Sequence, residues 1–515
     1  MNVPDVPVPE SPMAKALAVL GTGSDVGKSL VTAGFGRVFH RSGIRVAPFK
    51  SQNMSLNSFV TVEGGEMGRA QVLQAQACGL RPHVDMNPIL LKPEADRRSQ
   101  VIVQGHVWRS QDAGDYFDSK AELFRFVRQS YERLAAQYEL LLIEGAGSAA
   151  EVNLRDRDIV NWPVVRMADA GVILVADIDR GGVFAQVIGT LDLLEPGERE
   201  RVLGIVINKF RGDRRLFDDG VALLEQRTDV PVLGVIPFLR DLLLDQEDSV
   251  TIESGSSVAS FSPETVNVAV ILLPHMSNFT DFNALAAESD VTLRYARVPG
   301  DVAGADVLIL PGSKHTIQDL QYVREKGFGP VVTSHVLAGR EVVGLCGGFQ
   351  MLGGRIDDPY QVEGGGETDG LRLLPVETRL HREKQTRQVQ AESLLSGMSD
   401  GETIRGYEIH VGLTSRRQGG PCFRILDPDG DREDGAVSPD GLVWGTYIHG
   451  VFDDPSFRRA WINRVRTRKG LAPNPFADSE MVTGRLTSAL DRWADHVARY
   501  VDMKSVFEAL RFPSA

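Results

Sequence analysis

Two stretches of this chain hold residue types whose spacing can do chemistry. The first is Thr22-Gly23-Ser24-Asp25-Val26-Gly27-Lys28-Ser29, just after the apolar run Ala16 to Leu20. Glycines let backbone N–H groups approach phosphate oxygens, and the helix that reads as starting in the Leu30-to-Phe35 run adds partial positive charge at its N-terminus. In such a loop Lys28 reaches the β- and γ-phosphates of a nucleotide, and the Ser29 hydroxyl binds Mg²⁺. Thr22 stands where the usual spacing has its first glycine, so the loop is a variant. Thr22, Gly23, Gly27, Lys28 and Ser29 are its candidate nucleotide-binding residues. The second stretch is Gly344-Leu345-Cys346-Gly347-Gly348. It puts a cysteine at a strand-to-helix turn whose small neighbours permit a strained backbone, the pattern of a nucleophile elbow. A helix N-terminus raises thiolate content. The N–H of Gly347 is a natural oxyanion donor, and Gly312 can supply a second. A cysteine nucleophile needs a base; His449, in Tyr447-Ile448-His449-Gly450, is the first candidate, with His410 and His315 as rivals.

Other polar clusters follow apolar runs. Glu144 ends Leu-Leu-Ile and precedes glycine, a position suited to Mg²⁺ on a nucleotide or to a helix cap. Asn208 can read a nucleobase or sit in a turn. Lys50 can hold a phosphate or a substrate carboxylate, or be merely solvated. Asn53 follows close behind it. Gln71 and Gln74 fall on neighbouring turns of one helix and suggest a polar face, for substrate amides or for another helix. Asn87 opens Asn-Pro-Ile-Leu-Leu-Lys-Pro, from Asn87 to Pro93, and with Lys50, Asn53, Gln71 and Gln74 it is a candidate substrate-binding residue.

These groups must be held by a framework. Apolar runs at Ala16–Leu20, Arg45–Phe49, Leu140–Ile143, Gly171–Ala176, Val202–Ile207 and Val232–Val235 alternate with helical segments. That alternation predicts an α/β fold, a doubly wound and mostly parallel sheet with helices on both faces. Ligands then sit at the carboxyl ends of the strands, where the polar clusters fall. A second α/β domain begins with the run Val266 to Leu273, with further strands at Val307–Leu310 and Val342–Leu345. From Gly364 to Thr403 the expectation is irregular chain with short strands. Leu486, Leu490, Trp493 and Val497 recur at helical spacing. The expected division is a disordered tail over 1–12, a first domain over 13–240, a linker over 241–263 and a second domain over 264–515.

A chain of 515 residues is too long for one ordinary core. Its net charge of −13, with no long basic run, argues against nucleic-acid binding. No apolar run approaches a membrane span, and the proline-rich, acidic stretch from Met1 to Pro12 lacks the regions of a signal peptide. Cys78, Cys346 and Cys422 are isolated, which predicts a reducing, cytoplasmic setting.

The motifs together carry a resemblance. Gly344-x-Cys346-x-Gly348 with Ile448-His449-Gly450 resembles class I glutamine amidotransferase domains of the cobalamin pathway. The Gly21-to-Ser29 loop resembles that of dethiobiotin synthetase-like ATPases. Combined with Gln71-Val72-Leu73-Gln74-Ala75 and the Asn87-to-Pro93 stretch, they resemble the cobyric acid synthase family, from about Lys15 almost to the C-terminus. The resemblance implies a P-loop synthetase domain followed by an amidotransferase domain, using ATP, Mg²⁺, L-glutamine and a corrinoid. It implies amidation of the b, d, e and g carboxylates of adenosylcobyrinic acid a,c-diamide, with Cys346 as nucleophile and His449 as base. Val451-Phe452-Asp453 follows the histidine, without the usual Pro-x-Glu. The identity, or existence, of a third triad residue therefore stays open. Two other readings stand beside this one: a related amidotransferase for the a,c-carboxylates or another carboxylate acceptor, and a partition-type ATPase switch.

Overall fold

The computed structural model describes residues 14–95, 98–112, 116, 119–239, 242, 260–398, 403–475 and 482–513. The expected tail and nearly all of the expected linker lie outside these. The six apolar runs of the first domain are six strands: β1 (Lys15–Gly21), β2 (Val46–Phe49), β3 (Leu140–Glu144), β4 (Gly171–Asp177), β5 (Val202–Phe210) and β6 (Val232–Pro237). They form one sheet, in the order β6-β5-β4-β1-β3-β2, with every pair parallel. Strands such as Leu140–Glu144 are buried throughout because helices cover both faces, which is why they read as unbroken apolar runs. Helix α1 (Lys28–Arg41) follows β1 directly, and α2 (Arg69–Ala77) packs beside it.

The second sheet comprises β7 (Val266–Ile271), β8 (Val291–Ala296), β9 (Val307–Leu310), β10 (Glu341–Leu345), β13 (Ala436–Val437) and β14 (Val443–Thr446), ordered β8-β7-β9-β10-β14-β13. All pairs are parallel except the edge pair β13–β14. Between β10 and β13 the chain departs from the expected irregular segment. It forms β11 (Val376–Ser393) and β12 (Thr403–Arg416), an antiparallel pair and the longest strands described. The run is full of charged residues because much of it faces solvent or the first domain, so no apolar run marks it.

The assignment of 264–515 to the second domain needs correction. Helices α4 (Val482–Tyr500) and α5 (Met503–Ala509) return to the first domain. Leu490, Trp493, Val497, Val506 and Phe507 share a core with Val31, Phe35 and Phe39 of α1. Trp493 Nε1 donates to the Leu30 carbonyl at 2.6 Å, and Arg37 pairs with Asp491 at 2.8 Å. The amphipathic period announced a buried stripe but carried no information on which core would bury it. Among the described residues no helix is long and apolar enough to cross a membrane.

Candidate active sites

The phosphate loop spans the carboxyl end of β1 and the start of α1. Gly27 adopts φ 95°, and a Cβ there would lie 2.2 Å from Asn208 Nδ2, so only glycine fits. Asn208 Nδ2 donates to the Val26 carbonyl at 2.9 Å, and Lys209 bonds the Asp25 carbonyl. Asn208 therefore braces the loop from the end of β5. The Thr22 N–H bonds the Val175 carbonyl at 2.9 Å, and Thr22 bridges Ser148 across the site. Lys28 is 7% exposed; its ammonium donates to the carbonyls of Gly23 and Gly147 at 2.8 and 2.9 Å. It thus stands at the loop mouth with its charge held by backbone dipoles.

Glu144, at the end of β3, is the hub of this centre and is 1% exposed. Its Oε1 accepts from Ser29 Oγ at 2.8 Å and from Lys50 Nζ at 2.9 Å. Its Oε2 accepts from Gln71 Nε2 at 3.3 Å and Gln74 Nε2 at 2.5 Å. The glutamine face of α2 therefore grips a carboxylate, and it is the protein's own. Asn53 Nδ2 donates to Gln71 Oε1 at 3.0 Å and joins the same network. Asn87 is different. Its amide oxygen takes the Gly68 N–H, and its nitrogen donates to the carbonyls of Lys50 and Ile89. Committed to backbone at both ends, it fixes the entry to α2 rather than facing a ligand.

The donor set suits magnesium. Ser29 Oγ and Glu144 Oε1, 2.8 Å apart, are hard oxygens beside a phosphate cradle. No group of three or more His, Cys, Asp or Glu among the described residues could hold a metal. An ion here would draw its remaining ligands from phosphate and water, as Mg²⁺ commonly does.

The second centre sits at the carboxyl ends of β10 and β14, which pair directly. Cys346 has φ 49° and ψ −108°, a strained conformation at the mouth of helix α3 (Gly347–Leu352). A Cβ on Gly348 would fall 2.0 Å from the Leu310 carbonyl oxygen, which explains the small residue behind the thiol. A Cβ on Gly347 would lie 2.9 Å from Ser313 N, and one on Gly312 would lie 3.3 Å from His449 Cε1. Gly312 and Gly347 therefore flank one small space beside the thiol and the imidazole. Cys346 Sγ lies 3.8 Å from the Ile409 carbonyl oxygen.

His449 ends the short strand β15 (Ile448–His449) and is 1% exposed. Its Nδ1 bonds Asp281 Oδ2 at 2.6 Å, and the Gly450 N–H donates to Asp281 Oδ1 at 3.0 Å. Burial alone would lower the ring's pKa, but the buried Asp281 carboxylate and the Cys346 side chain outweigh it and raise it to about 10. Of the rival bases, His410 stacks on Tyr447 at 3.8 Å and stands 3.6 Å from Glu408. His315 packs against His275 at 5.0 Å between ring centroids. Cys78 and Cys422 are fully buried thiols whose pKa burial pushes up, so neither competes as a nucleophile.

Asp281 is the residue that sequence reasoning missed. It lies 168 positions before its histidine, in the turn Phe279–Phe282. One signal was available: Asn278-Phe279-Thr280-Asp281 is a polar cluster soon after the carboxyl end of β7, where ligand-facing groups collect.

Comparisons with known proteins agree with this two-centre plan. Residues 17–251 match a family described as the CobQ/CobB/MinD/ParA nucleotide binding domain. Residues 267–457 match the CobB/CobQ-like glutamine amidotransferase domain. The chain is 46% identical over 503 residues to cobyric acid synthase of Syntrophobacter fumaroxidans, covering 96% of this chain and 98% of that protein. It is 49% identical over 507 residues to cobyric acid synthase of Klebsiella pneumoniae strain 342, covering 97% and 99%. Against that of Salmonella arizonae the figures are 47% over 510 residues, with 97% and 99% covered.

Proposed function

The chain belongs to the cobyric acid synthase family, enzymes of glutamine-dependent amidation in cobalamin biosynthesis, and on that premise we propose that it amidates the b, d, e and g carboxylates of adenosylcobyrinic acid a,c-diamide to give adenosylcobyric acid. The observation that carries the reading is the pairing of a strained, histidine-flanked thiol with a separate phosphate loop in one chain. A nucleotide switch has no need of the first, and a free-standing glutaminase has no need of the second. We divide the chain into a synthetase unit, 14–239 with 482–513, and an amidotransferase unit, 260–475.

In the amidotransferase unit burial works to lower the pKa of His449, but Asp281 and Cys346 raise it to about 10, which makes the ring a strong base beside the thiol. His449 takes the Cys346 proton as the nucleophile forms. The thiolate attacks the glutamine carboxamide, and the N–H groups of Gly312 and Gly347 receive the developing oxyanion. His449 gives its proton to the departing nitrogen, so ammonia leaves and a thioester remains. Water hydrolyses the thioester to glutamate and restores the thiolate. Asp281 keeps Nδ1 protonated and the ring oriented throughout.

In the synthetase unit a corrin carboxylate oxygen attacks the γ-phosphorus of ATP, ADP leaves, and an acyl phosphate forms. Ammonia displaces phosphate from it to give the amide. Lys28 balances charge on the transferring group, and Lys50 stands by for the acceptor carboxylate. Ser29 and Glu144 would hold Mg²⁺, which supplies charge neutralisation on the phosphates. Asn53, Gln71 and Gln74 fix the carboxylate and lysine at this centre.

The test is product mass. Purified enzyme with ATP, Mg²⁺, glutamine and the a,c-diamide acceptor should convert four carboxylates to amides in succession. Conversion of cobyrinic acid at its a and c positions instead, or glutamine hydrolysis indifferent to every corrinoid, would overturn the assignment.

A further inference from the structure

The two centres are joined by a buried ion cluster at the contact between units. Strands β11 and β12 lose register at one point: Leu380 pairs with Gly412 and Gln385 with His410. His381 to Lys384 therefore bulge outward opposite Val411 alone. Bulges of this kind re-aim side chains beside active sites. This one sends Lys384 across to Glu66 of the synthetase unit, with Gln100 Oε1 at 3.3 Å. Glu66 is 1% exposed, and its other oxygen takes Lys92 Nζ at 2.7 Å. Lys92 is the lysine of the Asn87-to-Pro93 stretch, and it also donates to Ser58 Oγ at 3.0 Å.

Both ends of this cluster lead to chemistry. On one side, Glu66–Gly68 runs straight into α2, whose Gln71 and Gln74 hold Glu144 beside the phosphate loop. On the other, the strand opposite the bulge carries Ile409, whose carbonyl lies next to the Cys346 thiol, and Tyr407, whose ring stacks on His449 at 5.4 Å. Tyr407 OH donates to the Ser58 carbonyl, and Gln388 of β11 donates to that of Val60. Burial works to lower the pKa of Lys384 and Glu66 to raise it, with Lys92 and Lys314 lowering it further, and the balance sits at about 7. Lys314, which lowers the pKa of Lys384, directly follows the Gly312–Ser313 strand.

We propose that Lys384 is a positioning residue that couples glutamine hydrolysis to the state of the synthetase site, acting through Glu66 and α2 on one side and through the β11–β12 hairpin on the other. It touches neither glutamine nor ATP. Its role is to make the thiol centre's geometry depend on the seating of α2, so that ammonia is released when the acceptor site is loaded. This inference rests on the two-centre reading above.

The test compares parent, Lys384→Met and Lys384→Arg in three assays: glutamine hydrolysed per amide formed, stimulation of glutamine hydrolysis by ATP plus a,c-diamide acceptor, and amidation driven by ammonium chloride without glutamine. Lys384→Met should lose the stimulation by about fivefold or more and hydrolyse excess glutamine, while ammonia-driven amidation stays near the parent rate. Lys384→Arg, which keeps the charge, should recover most of the coupling. Gln388→Ala, a milder cut at the same contact, should shift the ratio in the same direction; it decides the matter should Lys384→Met not fold. Unchanged coupling in Lys384→Met, or in Gln388→Ala where that variant decides, overturns the proposal. So does loss of ammonia-driven amidation in folded Lys384→Met. Failure of the parent itself to amidate the corrinoid from ammonia would instead overturn the functional reading.

Discussion

The two centres are held in shape by opposite means. At the phosphate loop the chemical groups hold one another: Ser29, Lys50, Gln71 and Gln74 all converge on the Glu144 carboxylate. At the thiol centre the backbone does the holding. Cys346 is fixed by a strained turn with glycines behind it, and His449 answers to one buried carboxylate. The first arrangement spreads each role over several partners, so losing one leaves the others in place. The second puts each role on a single atom pair, so losing one removes a function outright. Sensitivity to substitution should therefore differ more between the centres than exposure would suggest.

Cys346→Ala should show the largest effect, cutting glutamine hydrolysis by about 10⁴-fold or more while ammonia-driven amidation continues. Alanine suits the turn in size, so the circular dichroism spectrum should match the parent. Residual glutamine-dependent amidation at the parent rate would remove Cys346 from the chemistry. Lys28→Ala comes next. Amidation from glutamine and from ammonia should both fall by about 10²- to 10³-fold, measured as ADP release and amide product, because the positive charge that balances the transferring phosphoryl group is gone. Retained ammonia-driven amidation would break the division of labour between the centres.

Asp281→Asn sharpens the comparison through pH. With the carboxylate gone the larger raising influence on His449 is lost, while burial and the lesser influence of Cys346 remain, so the ring's pKa drops from about 10. Glutamine hydrolysis should fall by about 10²-fold or more, and the alkaline limb of its pH profile should move to lower pH. Stability carries the same sign. The parent's contribution from charged His449 is full below the ring's ordinary value of 6.5 and is lost as pH rises through about 10, and the variant should lack it. A thermal unfolding series across that range checks the second effect independently of the first.

Glu144→Gln is expected to be the mildest for turnover, raising the Mg²⁺ needed for half-maximal rate by about tenfold, since Ser29, nucleotide and water remain as ligands. It should cost more in stability, about 3 kcal/mol, because the buried ion pair between Glu144 and Lys50 is broken. Adding Lys50→Met should restore the unfolding midpoint but not the Mg²⁺ dependence. If both recover together, Glu144 acts only as an anchor for the lysine.

What the sequence disclosed follows the same divide. Strand, glycine turn and helix are local in the chain, so both elbows and all six strands of the first sheet were legible as runs and punctuation. Gln71 and Gln74 were legible as a helix face, yet their target lies 73 and 70 residues onward, and spacing along a chain says nothing about such a meeting. Asp281 was hidden for that reason. The partners of Asn87 were hidden too, because a buried asparagine bonded to backbone has the same letter as one bonded to a ligand. The hairpin Val376–Arg416 escaped notice because its charged residues lack the apolar alternation that betrays a strand.

The return of helices α4 and α5 to the first core has a consequence for how the chain is born. On the ribosome the synthetase unit emerges first, but residues 482–513, which cover α1, follow only after the whole amidotransferase unit has been made. Until then the α1 face that carries Val31, Phe35 and Phe39 lacks the α4 and α5 side chains that share its core. The nascent first unit waits, unfinished, for some 240 residues of synthesis, a window in which such faces recruit chaperones or aggregate. The two catalytic units are thus interleaved in time as well as in space. A cut after residue 239, placed where the sequence suggests a natural seam, should yield an insoluble fragment that becomes soluble when the 482–513 segment is fused to it.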